Sequence, residues 1–156
     1  MSANIKIKES VNTNIKESAK TKIKEDPKND QRLAAILIRG PVHVDQEVLD
    51  TLHFLRLRNK HACVVVTANP NVKGMLSRCQ NYITWGEIND ETLAQLKKER
   101  GKTTTTRDGK KIPKPFFALA PPRGGYERKG IKAPFNLGGT LGYRGDAINV
   151  LIKKML

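Results

Sequence analysis

The sequence is short of cysteine, aromatic residues and acids, and each shortage closes off a class of protein. Two cysteines in 156 residues, Cys63 and Cys79, are too few for a disulfide framework or a four-ligand zinc site. Aromatics make up 5% and apolar residues 38%, enough for one modest core and not for two. No apolar run approaches the roughly 18–20 residues that span a bilayer. Met1 to Lys8 lacks the apolar stretch of a secretory signal. The expectation is a cytoplasmic chain with no membrane partner and no disulfide.

The scarcity of acids says most. Fifteen Asp and Glu face 29 Lys and Arg, a formal net charge of +14. Such self-repulsion gains a lone protein nothing, so a polyanion is the expected partner, nucleic acid ahead of an anionic membrane surface. The charge is also concentrated. Residues 1–30 hold seven lysines against five acids, whereas residues 100–132 hold ten basic residues against Asp108 and Glu127 alone.

Along the chain, residues 1–31 form a low-complexity tract of recurring Ile-Lys and Lys-Glu pairs without Leu or aromatics, expected to be disordered when free. Its Ile7, Val11, Ile15, Ala19 and Ile23 fall at spacing four, a narrow stripe that a partner could order as a helix. Folding starts at Leu33. The unbroken apolar run to Ile38 predicts a buried strand. Val44, Val48, Leu52 and Leu55 then predict a helix capped by Asp45, with Arg56 and Arg58 at its electronegative end. Ala62 to Val66 predicts a second strand, Asn69-Pro70 opens a helix to Gln80, and Tyr82 to Thr84 predicts a third strand closed by Trp85-Gly86. Asn89-Asp90 starts a helix that ends at Arg100 before Gly101. Residues 101–115 are expected as a basic, Thr-rich loop with an Asp108-Gly109 turn. Phe116 to Ala120 is expected as a short strand, and Asp146 caps a last helix that docks through Ile148, Leu151, Ile152 and Met155.

Catalytic signals are weak. Gly101-Lys102-Thr103 matches the tail of a phosphate-binding loop, but the glycine needed five residues earlier is Leu96, and a helix precedes it where a strand is required. His61 and Cys63 share a strand face and with Cys79 make an incomplete ligand set for zinc. No base or orienting group accompanies Cys63 or Ser77 as a nucleophile. No enzyme, cofactor, metal or small-molecule substrate is expected.

The stronger signal is Arg123-Gly124-Gly125-Tyr126 followed by Arg128, Lys129 and Lys132. Guanidinium groups fork onto phosphates, glycines remove bulk, and Tyr126 offers a ring face to a base or ribose. The glycines Gly138, Gly139, Gly142 and Gly145, interleaved with Tyr143 and Arg144, fit either a plain connector or a backbone laid closely on RNA.

Several of these runs resemble one family. Ile38-Arg39-Gly40, Leu55-Arg56-Leu57, Gly74-Met75-Leu76 and Tyr82-Ile83-Thr84-Trp85-Gly86 resemble the core of the universal L-thirty family of large-subunit ribosomal proteins. Pro122-Arg123-Gly124-Gly125, Phe135 with Gly138-Gly139, and Asp146-Ala147-Ile148-Asn149 resemble the extension of its archaeal and eukaryotic members, the archaeal form fitting best by length. The resemblance covers about four fifths of the chain and leaves residues 1–31 and Thr103 to Thr106 unmatched.

The fold it implies is α+β. A small β-α-β-α-β ferredoxin-like core over 32–100, a three-stranded sheet with helices on one face, is followed by a basic rRNA-binding extension over 101–156 ending in a helix. The role it implies is structural: binding large-subunit rRNA and neighbouring ribosomal proteins in the cytoplasmic ribosome, with the small five-S rRNA as a further partner. The residues expected to contact rRNA are Arg39, Lys73 and Arg78 on the core. On the extension they are Lys110, Lys111, Lys114, Arg123, Gly124, Gly125, Tyr126, Arg128, Lys129, Lys132, Tyr143 and Arg144. The alternative is a non-ribosomal RNA- or DNA-binding module of chaperone or chromatin type, although such modules use more stacking aromatics or a clear recognition helix.

Overall fold

The computed structural model describes residues 31–105 and 111–156. Most of the expected N-terminal tail, Thr106, the Asp108-Gly109 turn and Lys110 lie outside the described residues.

The apolar run becomes β1 (Arg32–Leu37), and the chain continues through α1 (Gln46–Phe54), β2 (Ala62–Thr67), α2 (Pro70–Arg78), β3 (Ile83–Glu87) and α3 (Asp90–Arg100). β1 lies in the middle, antiparallel to both β2 and β3, with Ala35 opposite Val64 on one side and Trp85 on the other. The helices begin where the cap residues predict, yet none of the caps at Asp45, Asn69, Asn89 or Asp146 makes a side-chain hydrogen bond. The carbonyl of Asn69 instead takes the Lys73 amide, at 2.9 Å.

The α+β class and the three-stranded centre match the expectation; two details differ. The first is that helices cover both faces. Successive side chains of a strand point to opposite sides, and β1 is apolar at every position after Arg32. Leu33, Ala35 and Leu37 join Leu52, Leu55, Leu57, Leu76 and Ile83 beneath α1 and α2. Ala34, Ile36 and Ile38 join Leu93, Leu96, Ile148, Leu151, Ile152 and Met155 beneath α3 and the last helix, α4 (Ala147–Met155). A strand with two apolar faces needs two roofs.

The second is that the sheet has five strands, with Phe117–Ala118 added outside β2 and Gly142–Tyr143 outside β3. Beyond α3, the Thr-rich stretch expected as a loop pairs as β4 (Thr103–Thr105) with β5 (Lys111–Pro113). Two short strands then extend the central sheet: β6 (Phe117–Ala118) beside β2, and β7 (Gly142–Tyr143) parallel to β3. The third core strand also runs further than expected, because Trp85 and Gly86 pair with Ala35 and Ala34 instead of ending it.

The extension is therefore welded to the core. Buried Asn149 of α4 accepts from the Asn89 amide at 3.0 Å and donates to the Glu87 carbonyl at 2.9 Å, so α4 caps the start of α3 in trans. A methyl on Gly86 would meet the Gly145 carbonyl, and one on Gly139 would meet the Ala133 carbonyl. The close approach these glycines permit is to protein backbone, and Gly138, Gly142 and Gly145 take positive φ in the turns between.

Candidate nucleic-acid interface

The candidate residues sort by what already holds them. Among the described residues there are three ion pairs: Arg32 with Asp90 at 3.2 Å, Arg78 with Glu47, and Arg144 with Glu127 at 2.8 Å. Lys73, Lys111, Arg123, Arg128, Lys129 and Lys132 are exposed and belong to none of them. Arg78, on the last turn of α2, shares its charge with α1 but stays exposed.

Arg39 and Lys132, from the two halves of the chain, both border Asn81. Arg39 donates to the Asn81 carbonyl at 3.2 Å and lies over the Tyr82 ring, 5.1 Å from its centre. Lys132 lines a small cleft with Gln80, Asn81 and Pro134 at the same turn before β3. The Arg123-Gly124-Gly125 loop lies against the end of α4, its Arg123 amide donating to the Lys154 carbonyl at 2.9 Å. The φ values of Gly124 and Gly125, 84° and 78°, are ones other residues rarely adopt. Lys129 is tied by its amide to the Gly138 carbonyl, leaving its side chain outward. Lys73 and Arg78 are carried by α2, on the α1/α2 side of the sheet.

Two expected contacts, Arg144 and Tyr126, are turned inward, and a third, Tyr143, is partly engaged. Arg144 is 6% exposed. Its guanidinium donates to Thr84 Oγ1, Glu127 Oε1 and the Thr140 carbonyl at 2.8–3.0 Å, and stacks over Phe135. Buried, with three of its N–H groups bonded within the protein, it is an internal tie between β3 and the extension. Tyr126 is half-buried against the core, with its hydroxyl 3.0 Å from His61 Nδ1. Burial first, and the Glu127 carboxylate second, push that hydroxyl up to about 12. Tyr143 is more exposed, but it leans on Trp85 with ring centres 4.7 Å apart and donates to Glu87. Tyr126 is thus turned into the core, whereas Tyr143 stays 49% exposed with Trp85 on one side.

Glu127 holds this cluster together. Burial alone would raise its carboxyl, but hydrogen bonds from Arg144, its own backbone amide and Thr140 outweigh that and leave it below the ordinary value of 4.5.

The incomplete metal set is dispersed. Cys63 points into the α3/α4 side of the sheet and Cys79 into the α1/α2 side, while His61 turns to Tyr126. Burial pushes the Cys63 thiol up to about 12, so it is a core side chain rather than a nucleophile. No group of three or more potential metal ligands occurs among the described residues.

Two basic residues that sequence reasoning assigned to a helix end belong to this surface. α1 stops in a reversal: Leu57 donates to the Leu52 carbonyl and Arg56 to that of His53, both at 2.9 Å. Leu55 and Leu57 are buried beneath it, and Arg56 and Arg58 face outward beside Lys114 in a cleft of about 760 Å³. The alternation Leu55-Arg56-Leu57-Arg58, period two where the helical period should have continued, was the available signal.

A family model described as "Ribosomal protein L30p/L7e" matches residues 33–83, from β1 to the start of β3. The chain is 40% identical over 149 residues to "Large ribosomal subunit protein uL30" of Methanopyrus kandleri, covering 76% of this chain and 100% of that protein. It is 40% identical over 158 residues to the protein of the same name from Staphylothermus marinus, covering 79% and 97% of the two chains. The Nanoarchaeum equitans counterpart is 36% identical over 151 residues, again with 79% and 97% covered.

Proposed function

Because the chain belongs to the L30p/L7e family of ribosomal proteins, we propose that it is built into the large ribosomal subunit, where its basic extension and one edge of its core bind rRNA and hold the local RNA fold. Its role is structural and not enzymatic. The observation that carries the RNA reading is the set of exposed cations without a carboxylate partner among the described residues. Of the residues expected to contact rRNA, these are Lys111, Arg123, Arg128, Lys129 and Lys132 on the extension, and Lys73 on the core. Such charges neutralise phosphates and release counterions. Neighbouring subunit proteins and the small five-S rRNA are the further partners this reading includes.

The experiment is co-sedimentation of a tagged full-length chain through a high-salt wash, together with the salt dependence of its affinity for large-subunit rRNA. Retention on large subunits is expected. With about six phosphate contacts, the logarithmic salt slope should be near −4 to −5. A free or nucleoid-bound pool, or a slope shallower than about −2, would overturn it.

A further inference from the structure

The cleft at the end of α1 has a composition that the phosphate-binding surface alone does not explain. We propose that it holds one unpaired RNA nucleotide, with its base stacked on Phe54 and its flanking phosphates met by Arg56, Arg58 and Lys114. This rests on the reading that the chain binds RNA.

Three observations converge. The cleft, about 760 Å³, falls within the range that encloses a small organic ligand, and none of its lining residues is acidic. Phe54 is 78% exposed, an apolar ring in the last turn of α1 that belongs to neither core cluster and, among the described residues, pairs with no other aromatic. Phe116, half-buried, lines the same cleft, so both aromatic and cationic groups border one space.

Arg56 occupies the left-handed position of the helix stop, φ 60°, which favours glycine. A side chain held there at a backbone cost, with no carboxylate partner among the described residues, suggests a demand other than folding.

The chemistry selects the occupant. An acidic peptide would satisfy the cations but not the bare ring. A duplex offers phosphates, but its bases are stacked and out of reach. A base turned out of its helix offers both a π-face and adjacent phosphate charge, the combination by which proteins grip single-stranded RNA.

The test uses the full-length chain and two probes, an unstructured oligoribonucleotide and a blunt RNA duplex of the same length. Phe54→Ala should weaken binding to the single strand roughly 5- to 100-fold and leave duplex binding nearly unchanged, with Phe54→Trp restoring the single-strand affinity. The double variant Arg56→Ala/Arg58→Ala should weaken both probes and flatten the salt slope by about 1 to 2. Equal effects of Phe54→Ala on the two probes, or none on either, would overturn the nucleotide site while leaving the RNA-binding reading standing. A wild-type chain that binds neither probe would overturn both.

Discussion

The carbonyl oxygen of Gly145 sits where a Cβ on Gly86 would have to go. Gly86 is in the third core strand and Gly145 in the turn before α4, so this contact sets how closely the extension lies on the sheet. Gly86→Ala should cost on the order of 1–3 kcal/mol, as overpacking does. Denaturant unfolding checks this. An unchanged midpoint would mean that the two segments part easily.

Arg144 tests the division between structural and RNA-binding cations. Arg144→Met removes a buried partner of Glu127 and leaves the Thr140 carbonyl without its donor. The expected loss is about 2–4 kcal/mol of stability, with the salt slope of RNA binding unaltered. Lys129→Ala should do the reverse, leaving stability intact and flattening the slope by about 0.7–0.9.

Asn149 fastens α4 to the start of α3 through hydrogen bonds with Asn89 and Glu87. Asn149→Ala strands both partners and should cost about 1–3 kcal/mol by thermal or denaturant unfolding. Amide exchange at Asn89 should accelerate in the same variant.

The pH dependence has a definite sign. The Glu127 carboxyl is held below its ordinary value of 4.5 in the folded chain, so the unfolded chain takes up the proton first. Its contribution is fully present above 4.5 and is lost as the pH falls through the lower folded value. Glu127→Gln should therefore be less stable than the parent at neutral pH, and the difference should shrink in acid.

Arg56 makes a prediction opposite to its role. Since φ 60° strains any residue with a Cβ, Arg56→Gly should raise stability by roughly 0.5–1 kcal/mol. The same variant should bind RNA less well. A loss of stability would mean that the arginine side chain supports the fold directly.

Much of the architecture was legible because it follows from local patterns. The run Leu33 to Ile38 marked the central strand, and the apolar spacings of α1 and α4 marked helices whose inner faces are buried as expected. What local pattern could not show was pairing across distance. Thr103–Thr105 pairs with Lys111–Pro113 because β-branched residues suit a strand, but the surrounding charge made that stretch look like a loop.

Arg144 stood in a basic, glycine-rich stretch and resembled its neighbours. Its partners Thr84, Glu127 and Thr140 converge only once β7 has paired with β3. Tyr126 looked available to a base until the fold brought it against His61. The lysines and arginines needed no such convergence: solvated charges stay exposed wherever the chain carries them, so most are where composition placed them.

A strand that is oily on both sides also sets a timetable for the chain as it is made. When residues up to the third helix have emerged, α1 and α2 can close over Leu33, Ala35 and Leu37, but the reverse side keeps Ala34, Ile36 and Ile38 only partly sheltered until residues 147–155 arrive. Over that interval the half-made molecule shows water an adhesive surface, the kind that recruits chaperones or clumps. Truncating the chain after α3 would consequently do more than strip away RNA contacts, since it would leave one side of the sheet permanently half-roofed, with α3 as its cover.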